Sequence, residues 1–388
     1  MSGGRGREEI VVVGAGIAGL ATAAGLQRRG RSVSVIEERT DTSPGAGISI
    51  WPNALAALDE LGLGDAVRSA GGRVTAGAMR WHNGTWLRRP SAQRLVTALG
   101  EPLVVVQRAA LRDILFSALD KGTVRYGTSV CGLIATADGV RLTLSDNSDL
   151  QAAAVVGADG TRSAVARHLN GELSNRYAGY TAWRGIARYR LDPELAGETL
   201  APGAEVGHVP LGHDLTYWFA TERGPEGQRS IEGELAYLTA KFARWADPVP
   251  AILAATAPED VLRNDLYDRS PARQWARGPI VLVGDAAHPM RPHLGQGGCQ
   301  ALEDAAILSA LVDRGTDYSQ AFAEFAALRQ PRVNRLVRES AAIGTVLNLR
   351  PAALGALAAR ASALMPEAVL TRHLAAVAAR SAFRLPAD

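Results

Sequence analysis

The stretch "EEIVVVGAGIAGLATAAGLQRRG", residues 8–30, sets three glycines at fixed spacing between an aliphatic run and an alanine-rich run. Ile10 to Val13 are all β-branched, which predicts a short strand buried on both faces. From Ile17 the apolar pattern is helical, and Gly30 supplies the stop. "SVSVIEER", residues 32–39, then alternates as a second strand. Strand, glycine turn, helix and strand make a βαβ unit, the building block of a parallel sheet. The predicted class is α/β and Rossmann-like.

The order of the glycines carries chemistry. Gly14 permits the tight turn, Gly16 lets a pyrophosphate approach the backbone, and Gly19 lets the helix pack close to the strand. The helix N-terminus, with Ala18 in its first turn, offers N–H donors and a positive dipole to phosphates. Glu37 closes the second strand, where its carboxylate can accept from the hydroxyls of an adenosine ribose. An acid there prefers a free 2′-hydroxyl, meaning FAD or NAD rather than NADP. Arg39 joins the candidate cofactor set. A second "GAG", residues 45–47, follows no strand and reads as a flexible turn.

Length and composition bound the rest. A chain of 388 residues suits two domains sharing a cleft, and 47% hydrophobic residues allow a sizeable interior. The 42 basic and 39 acidic residues leave a net charge of +3, too little to recruit nucleic acid. Lys121 and Lys241 are the only lysines, a bias expected of a high-GC bacterial coding sequence. Two cysteines, Cys131 and Cys299, fit a reducing cytoplasm. "MSGGRGREE" has no apolar signal core, and no run reaches membrane-spanning length, so a cytoplasmic protein with no membrane span is expected. The seven histidines show no metal-ligand spacing, and no metal is expected.

Farther along, residues 73–106 and 177–235 are rich in aromatics and alternating apolar residues, reading as antiparallel sheet. "RAALRDILFSAL" reads as an amphipathic helix, and residues 123–159 as hairpin strands leading to "AAAVVGADG". The βα pattern returns at "PIVLVGDAA", and after residue 317 the chain reads as helices broken at Pro331, Pro351 and Pro366. The expected organisation is a discontinuous cofactor domain of residues 1–72, 100–176 and 262–340. Residues 73–99 and 177–261 form a β-rich substrate domain, and residues 341–388 a C-terminal helical segment.

A second glycine-rich stretch, "VGDAAHPMRPHLGQGGCQALEDA", residues 283–305, asks for something larger than NAD. Asp285 falls at the carboxyl end of a buried strand, where open α/β sheets bind ligands. Leu294, Gly295, Gly297 and Gly298 offer bare backbone where a helix opens, suited to partial negative charge on a flavin ring. An acid reaching a polyol chain and a helix facing a ring suit FAD better than NAD. The alternative is an acid and a glycine-rich cap serving stability alone.

These motifs, in this order, resemble the group A flavoprotein monooxygenases, the para-hydroxybenzoate hydroxylase-like family. The resemblance covers most of residues 9–340 through "GAGIAG" with Glu37, "GADGTRSAVAR" at 157–167, and "GDAAHP". It implies a Rossmann-like (GR2-type) FAD-binding domain with an inserted β-sheet substrate domain and C-terminal helices. It further implies that Asp159 and Gly160 serve FAD and transient NAD(P)H, that Asp285 holds the ribityl chain, and that Arg108 contacts FAD. "GISIWPNALAALDELG" and "YTAWRG" resemble the flavin-side and sheet segments. Many relatives read "TPNLGQG" where this chain reads "RPHLGQG", so Arg291 and His293 bring a cation and a titratable base near the flavin. No thioredoxin-like C-terminal domain is expected, and the WxWxIP pattern of flavin halogenases does not occur in the sequence.

The implied cycle uses non-covalent FAD, NAD(P)H as transient co-substrate and O₂, which adds at flavin C4a to give a hydroperoxide that oxygenates a bound molecule. Arg162 and Arg184 are candidates to meet the NAD(P)H phosphates, the alternative being solvated surface arginines. The substrate is expected over the β-rich insertion, with Arg184, Trp183, Tyr217 and Trp218 as lining candidates; for the aromatics the alternative is core packing. His293 is the candidate catalytic base, or else it shapes the pocket. Open activities are hydroxylation of an aromatic or polycyclic molecule, epoxidation or antibiotic inactivation, and a flavin reductase without oxygen transfer. A monomer or weak dimer is expected.

Overall fold

In the computed structural model, which describes residues 9–40, 45–315, 317–347 and 349–386, Ile10–Val13 is a strand and Ile17–Arg28 a helix. The strand lies between Val33–Ile36 and Ala154–Gly157, parallel to both. Ile280–Leu282 extends the sheet in parallel beyond Ala154–Gly157, and Val124–Arg125 closes the other side. A short antiparallel strand, Ala276–Arg277, completes a six-stranded sheet. Register places Val13 beside Gly157 and Gly157 beside Leu282. The loops that follow therefore leave one edge together, and they carry Gly14, Asp159 and Asp285. This is the carboxyl edge beside a topological switch point, where such sheets bind ligands.

Helix Ile17–Arg28 packs on helix Gly297–Arg314, which is buried over most of its length. The second layer is a seven-stranded sheet. Its order is Leu262–Arg269, Asn175–Ala187, Leu215–Arg223, Ala204–Gly212, Gly197–Ala201, Ala78–Trp81 and Trp86–Arg88. Strand alternation gives it two faces. Trp183 and Trp218 turn to one face, with Leu238, Phe242 and Leu253 of the covering helices in the same core. Tyr180, Arg184, Tyr217 and Glu205 turn to the other, toward the cofactor layer. A small sheet of Gly47–Ile50, Gly72–Val74 and Leu103–Gln107 bridges the layers.

The sequence reading differs from this structure at three places. Ala92–Leu99 is a helix rather than sheet, capped by the Ser91 hydroxyl and ended by Gly100 at φ 89°. Leu262–Arg269 belongs to the large sheet, so the chain returns to the cofactor layer after, not at, residue 262. That strand is polar because it is an edge, paired on one side only. Pro331 does not break the chain but lies inside the continuous helix Tyr318–Leu347. Proline costs that helix one hydrogen bond; the buried ion pairs of the neighbouring Arg329 hold it against Gly297–Arg314. Of the expected cofactor segments, residues 1–8 and 41–44 lie outside the described residues. The C-terminal helix Ala352–Ser362 packs through Ala359 on Trp81 and Leu200 of the substrate sheet. No helix among the described residues is long and apolar enough to cross a membrane.

Candidate functional site

The first glycine turn is sterically closed on one side and open on the other. A Cβ on Gly14, at φ +105°, would sit 2.5 Å from the Ala158 carbonyl, and one on Gly19 1.8 Å from the Gly14 carbonyl. A Cβ on Gly16 would meet nothing within 4 Å. The helix beyond starts at Ile17 without a side-chain cap, leaving its first N–H groups to face that open space. Ala18 is half-buried in its first turn. The Glu37 carboxylate accepts from the Ala15 N–H at 2.7 Å and the Arg39 N–H at 2.9 Å, which fixes it beside the turn.

Asp159 folds back on its own loop. It accepts from the Ser163 hydroxyl at 2.5 Å and the Ala164 N–H at 2.7 Å, and burial raises its carboxyl above the usual range against those bonds. Asp285 behaves oppositely. It is exposed between buried Gly284 and Ala286, and no hydrogen bond engages its carboxylate among the described residues. An acceptor held free at the carboxyl edge of the sheet fits a polyol hydroxyl. The Arg269 side chain bonds the backbone carbonyls of Asp285 and Ala287 at 3.1 Å each and so fixes this loop.

Helix Gly297–Arg314 likewise opens without a side-chain cap. Leu294 ends the short turn Pro292–Leu294, and Gly295 follows in the left-handed region at φ +61°. Gly298 presses on Ile48 and Gly45 on the Arg108 side chain, so the turns at 45–48 and 295–298 meet, with Arg108 beside them. Two uncapped helix starts, an open Gly16 and an unpaired Asp285 fit a dinucleotide with a polyol arm. These residues would hold FAD.

Across from these turns lies the substrate sheet. A Cβ on Gly47 would stand 2.4 Å from the Tyr217 ring, so that ring rests on the cofactor layer. Arg184 and Arg108 both act on the Tyr217 hydroxyl, and Arg184 also bonds Asn264 at 3.2 Å. Trp218 lies elsewhere. Its indole is fully buried on the far face and donates to the Thr256 hydroxyl at 2.9 Å, and Trp183 donates to Glu234 at 2.7 Å. Both tryptophans bind the sheet to its covering helices.

His293 joins the two layers. Its Nε2 is 2.8 Å from the Tyr180 hydroxyl and its Nδ1 3.8 Å from the Glu205 carboxylate, with the side chain 3% exposed. Burial, and secondly the Arg291 cation, lower its pKa to about 4, so the imidazole is neutral at working pH. The ring fits because residue 344 is glycine; a Cβ there would lie 2.4 Å from Nε2. Arg291 is held by Asp268 at 2.6 Å.

Sequence reasoning missed Tyr180, Glu198, Glu205 and the ion cluster behind the second glycine turn. In that cluster Arg329 pairs with Glu303 at 2.6 Å and Asp304 at 2.8 Å, and His288 meets Asp304 at 2.6 Å, all four buried. Burial opposes ionisation of Asp304, but His288 and Arg329 override it and hold its pKa at about 2. Asn53 extends the cluster by bonding Gln296 and Glu303. The described residues contain no cluster able to hold a metal ion.

A parallel sheet with an open glycine turn, an exposed acid at its carboxyl edge and an antiparallel sheet across from a second glycine turn fit the class of FAD-dependent enzymes. The FAD binding domain family matches residues 7–340. Aurachin C monooxygenase/isomerase of Stigmatella aurantiaca is 36% identical over 340 residues, covering 87% of this chain and 89% of that protein. The 3-amino-4-hydroxybenzoate 2-monooxygenase of Streptomyces platensis is 35% identical over 350 residues, covering 86% and 87%. The crystal structure of Klebsiella pneumoniae HpxO with FAD and uric acid matches with a TM-score of 0.89 at 28% identity, covering 96% of this chain and 97% of that one. The chain belongs to the FAD binding domain family and is a group A FAD-dependent monooxygenase.

Proposed function

We propose that this monooxygenase hydroxylates an electron-rich aromatic or polycyclic small molecule at the expense of NAD(P)H and O₂. Bound FAD supplies the redox chemistry, taking a hydride from NAD(P)H and activating O₂ for transfer of one oxygen atom. The protein's share is to seat the flavin, orient the substrate and keep water out. Gly14, Gly16 and Gly19 receive the diphosphate, Glu37 the ribose and Asp285 the ribityl chain. The start of helix Gly297–Arg314 faces the ring. Tyr217 and Arg184 position the substrate from the sheet.

The observation that carries the reading is the seat of His293. It stands in the turn before the flavin-facing helix and is hydrogen-bonded to Tyr180 of the substrate sheet. A hydroxylase gains from a group that draws electron density onto the ring carbon by accepting from a phenolic or enolic O–H. With a pKa of about 4, His293 is neutral at working pH but a weak base, able to accept a hydrogen bond from a substrate hydroxyl and not to hold its proton. Its role is to polarise the substrate, with Tyr180 holding the ring. Relatives with aromatic substrates in their names, such as 3-amino-4-hydroxybenzoate, support the class. The test is a panel of aromatic compounds added to the FAD-loaded enzyme with NADH or NADPH. Stimulated NAD(P)H oxidation with an oxygenated product is expected; reduction of the compound without oxygen incorporation contradicts the proposal and favours a reductase.

A further inference from the structure

The helix Ala352–Ser362 reverses the usual arrangement of a surface helix. Its inner face is made of small residues, with Ala356 and Ala359 against Trp81, Leu87 and Leu200 of the large sheet. Leu354, Leu357 and Ala361, spaced i, i+3 and i+7, stand on the opposite face. Leu357 is 65% exposed there, and Leu364, just past the helix, is 86% exposed with Met365 beside it. Val369 continues the exposed apolar run onto the next helix, Glu367–Ala378. The Arg88 side chain bonds the Met365 carbonyl at 2.6 Å and so fixes the turn between the two helices. A helix whose outer face meets only water carries its leucines inward. An exposed run of this kind marks a contact surface.

The charge around this face is one-sided. Residues 350–372 hold Arg350, Arg360 and Arg372 against Glu367 alone. Residues 86–94, which adjoin the turn, hold Arg88, Arg89 and Arg94 and no acid, in a chain whose totals are 42 basic and 39 acidic residues. Glu367 is met by Arg94 at 3.8 Å. No carboxylate pairs with Arg350, Arg360 or Arg372 among the described residues, and Arg360 lies over the Trp81 ring at 4.5 Å. At the start of the first helix two cations come together. The Nε of Arg223 is buried without a hydrogen-bond partner, and burial, then the nearby Arg350 charge, lowers the Arg223 pKa. Two guanidiniums this close repel, and an anion between them would relieve both.

The charge selects the occupant. A second copy of the chain would lay the same arginines against one another across a two-fold axis. A protein partner is ordinarily gripped through aromatic anchors, and none of the exposed apolar residues on these two helices is aromatic. Aliphatic side chains interleaved with arginines suit an anionic bilayer, whose acyl boundary takes the alkyl groups and whose headgroup phosphates meet the guanidiniums. We infer that the outer face of Ala352–Ser362 and Glu367–Ala378 rests on a membrane surface rich in anionic phospholipid. At 11 and 12 residues neither helix is long enough to span a bilayer, so both lie in its plane. The inference does not depend on which reaction the enzyme performs.

The test sediments the FAD-loaded enzyme with vesicles of phosphatidylglycerol and phosphatidylcholine in equal parts, and with vesicles of phosphatidylcholine alone. Flavin absorbance in the pellet reports the bound fraction. Binding to the anionic vesicles should be about tenfold tighter or better, and should weaken as salt screens the arginines. Leu357→Asn with Leu364→Asn, and separately Arg350→Gln with Arg372→Gln, should each weaken that binding about tenfold. FAD content and melting temperature should stay unchanged in both, because these side chains are exposed. Equal binding to the two kinds of vesicle, binding to neither, or binding that the variants leave unchanged overturns the inference. So does a concentration-dependent dimer in sedimentation velocity that Leu357→Asn with Leu364→Asn dissociates, since the face then belongs to a second copy.

Discussion

The hydroxyl of Tyr180 lies 2.8 Å from Nε2 of His293, tying the seven-stranded sheet to the turn that opens helix Gly297–Arg314. Because burial holds His293 neutral down to about pH 4, the acidic limb of the rate should appear near pH 4 and not near the ordinary histidine value of 6.5. His293→Ala should lower product formed per NAD(P)H oxidised. Gly344→Ala should do the same with the imidazole still present, since its new Cβ would displace the ring from Tyr180. Coupling measured across pH with an active substrate checks both. Unchanged coupling in both variants would leave His293 as a packing residue.

The flavin contacts predict a separate loss. Asp285→Ala removes a carboxylate that accepts no hydrogen bond among the described residues, so stability should hardly change while FAD occupancy falls. A hydrogen bond to a charged group contributes about 1.5–3 kcal/mol, so the FAD dissociation constant should rise about tenfold or more. Flavin content after dialysis, with a parallel melting curve, separates the two effects. Full retention of FAD would remove Asp285 from the site.

Arg329 predicts the reverse pattern. Arg329→Met removes the cation shared by Glu303 and Asp304 and leaves them to Arg332, Asn53 and His288; breaking a buried pair from one side typically costs about 3–5 kcal/mol. The same cluster reaches Asn53 and Gln296 at the helix start, so flavin binding should weaken together with stability. Urea unfolding of the FAD-loaded variant reads the first effect and fluorescence of released flavin the second.

How much of this was legible in the sequence depended on whether the constraint was local. Gly14, Gly16 and Gly19 answer to sterics within one turn, so their spacing announced the tight passage from strand to helix. Asp285 followed from its place after a short aliphatic strand. Glu198 and Glu205 sit in "GETLAPGAEVGH", within the stretch read as antiparallel sheet, and only the pairing across the sheet puts both acids on one face. Arg329, Glu303 and Asp304 are charged residues whose pairing appears only when the two successive helices that carry them pack together. Trp218 and Trp183 looked like pocket aromatics because alternation alone does not tell which face of a sheet meets the ligand. The Ala92–Leu99 helix had its signals in Ser91 and Gly100, outweighed by neighbouring sheet-like residues.

His208 supplies a stability prediction away from the site. It is buried, meets the Thr199 hydroxyl at 3.2 Å, and burial followed by the Arg80 cation lowers its pKa from 6.5 to about 4. The unfolded chain then binds the extra proton first as pH falls below 6.5. The stability that His208 contributes is fully present above pH 6.5 and is lost progressively toward pH 4. Such a shift corresponds to about 3 kcal/mol. His208→Gln should flatten the fall in melting temperature between pH 6.5 and 4; an unchanged slope would assign acid sensitivity to other groups.

The most direct measurement is the fate of oxygen. A compound that stimulates NAD(P)H oxidation by the FAD-loaded enzyme is turned over once under ¹⁸O₂ in ordinary water, and the product is weighed by mass spectrometry. One ¹⁸O atom in the product is the predicted result, with none appearing when the label is supplied only in water. Product carrying oxygen from water, or product reduced and unlabelled while ¹⁸O₂ leaves only as labelled hydrogen peroxide, would contradict the account.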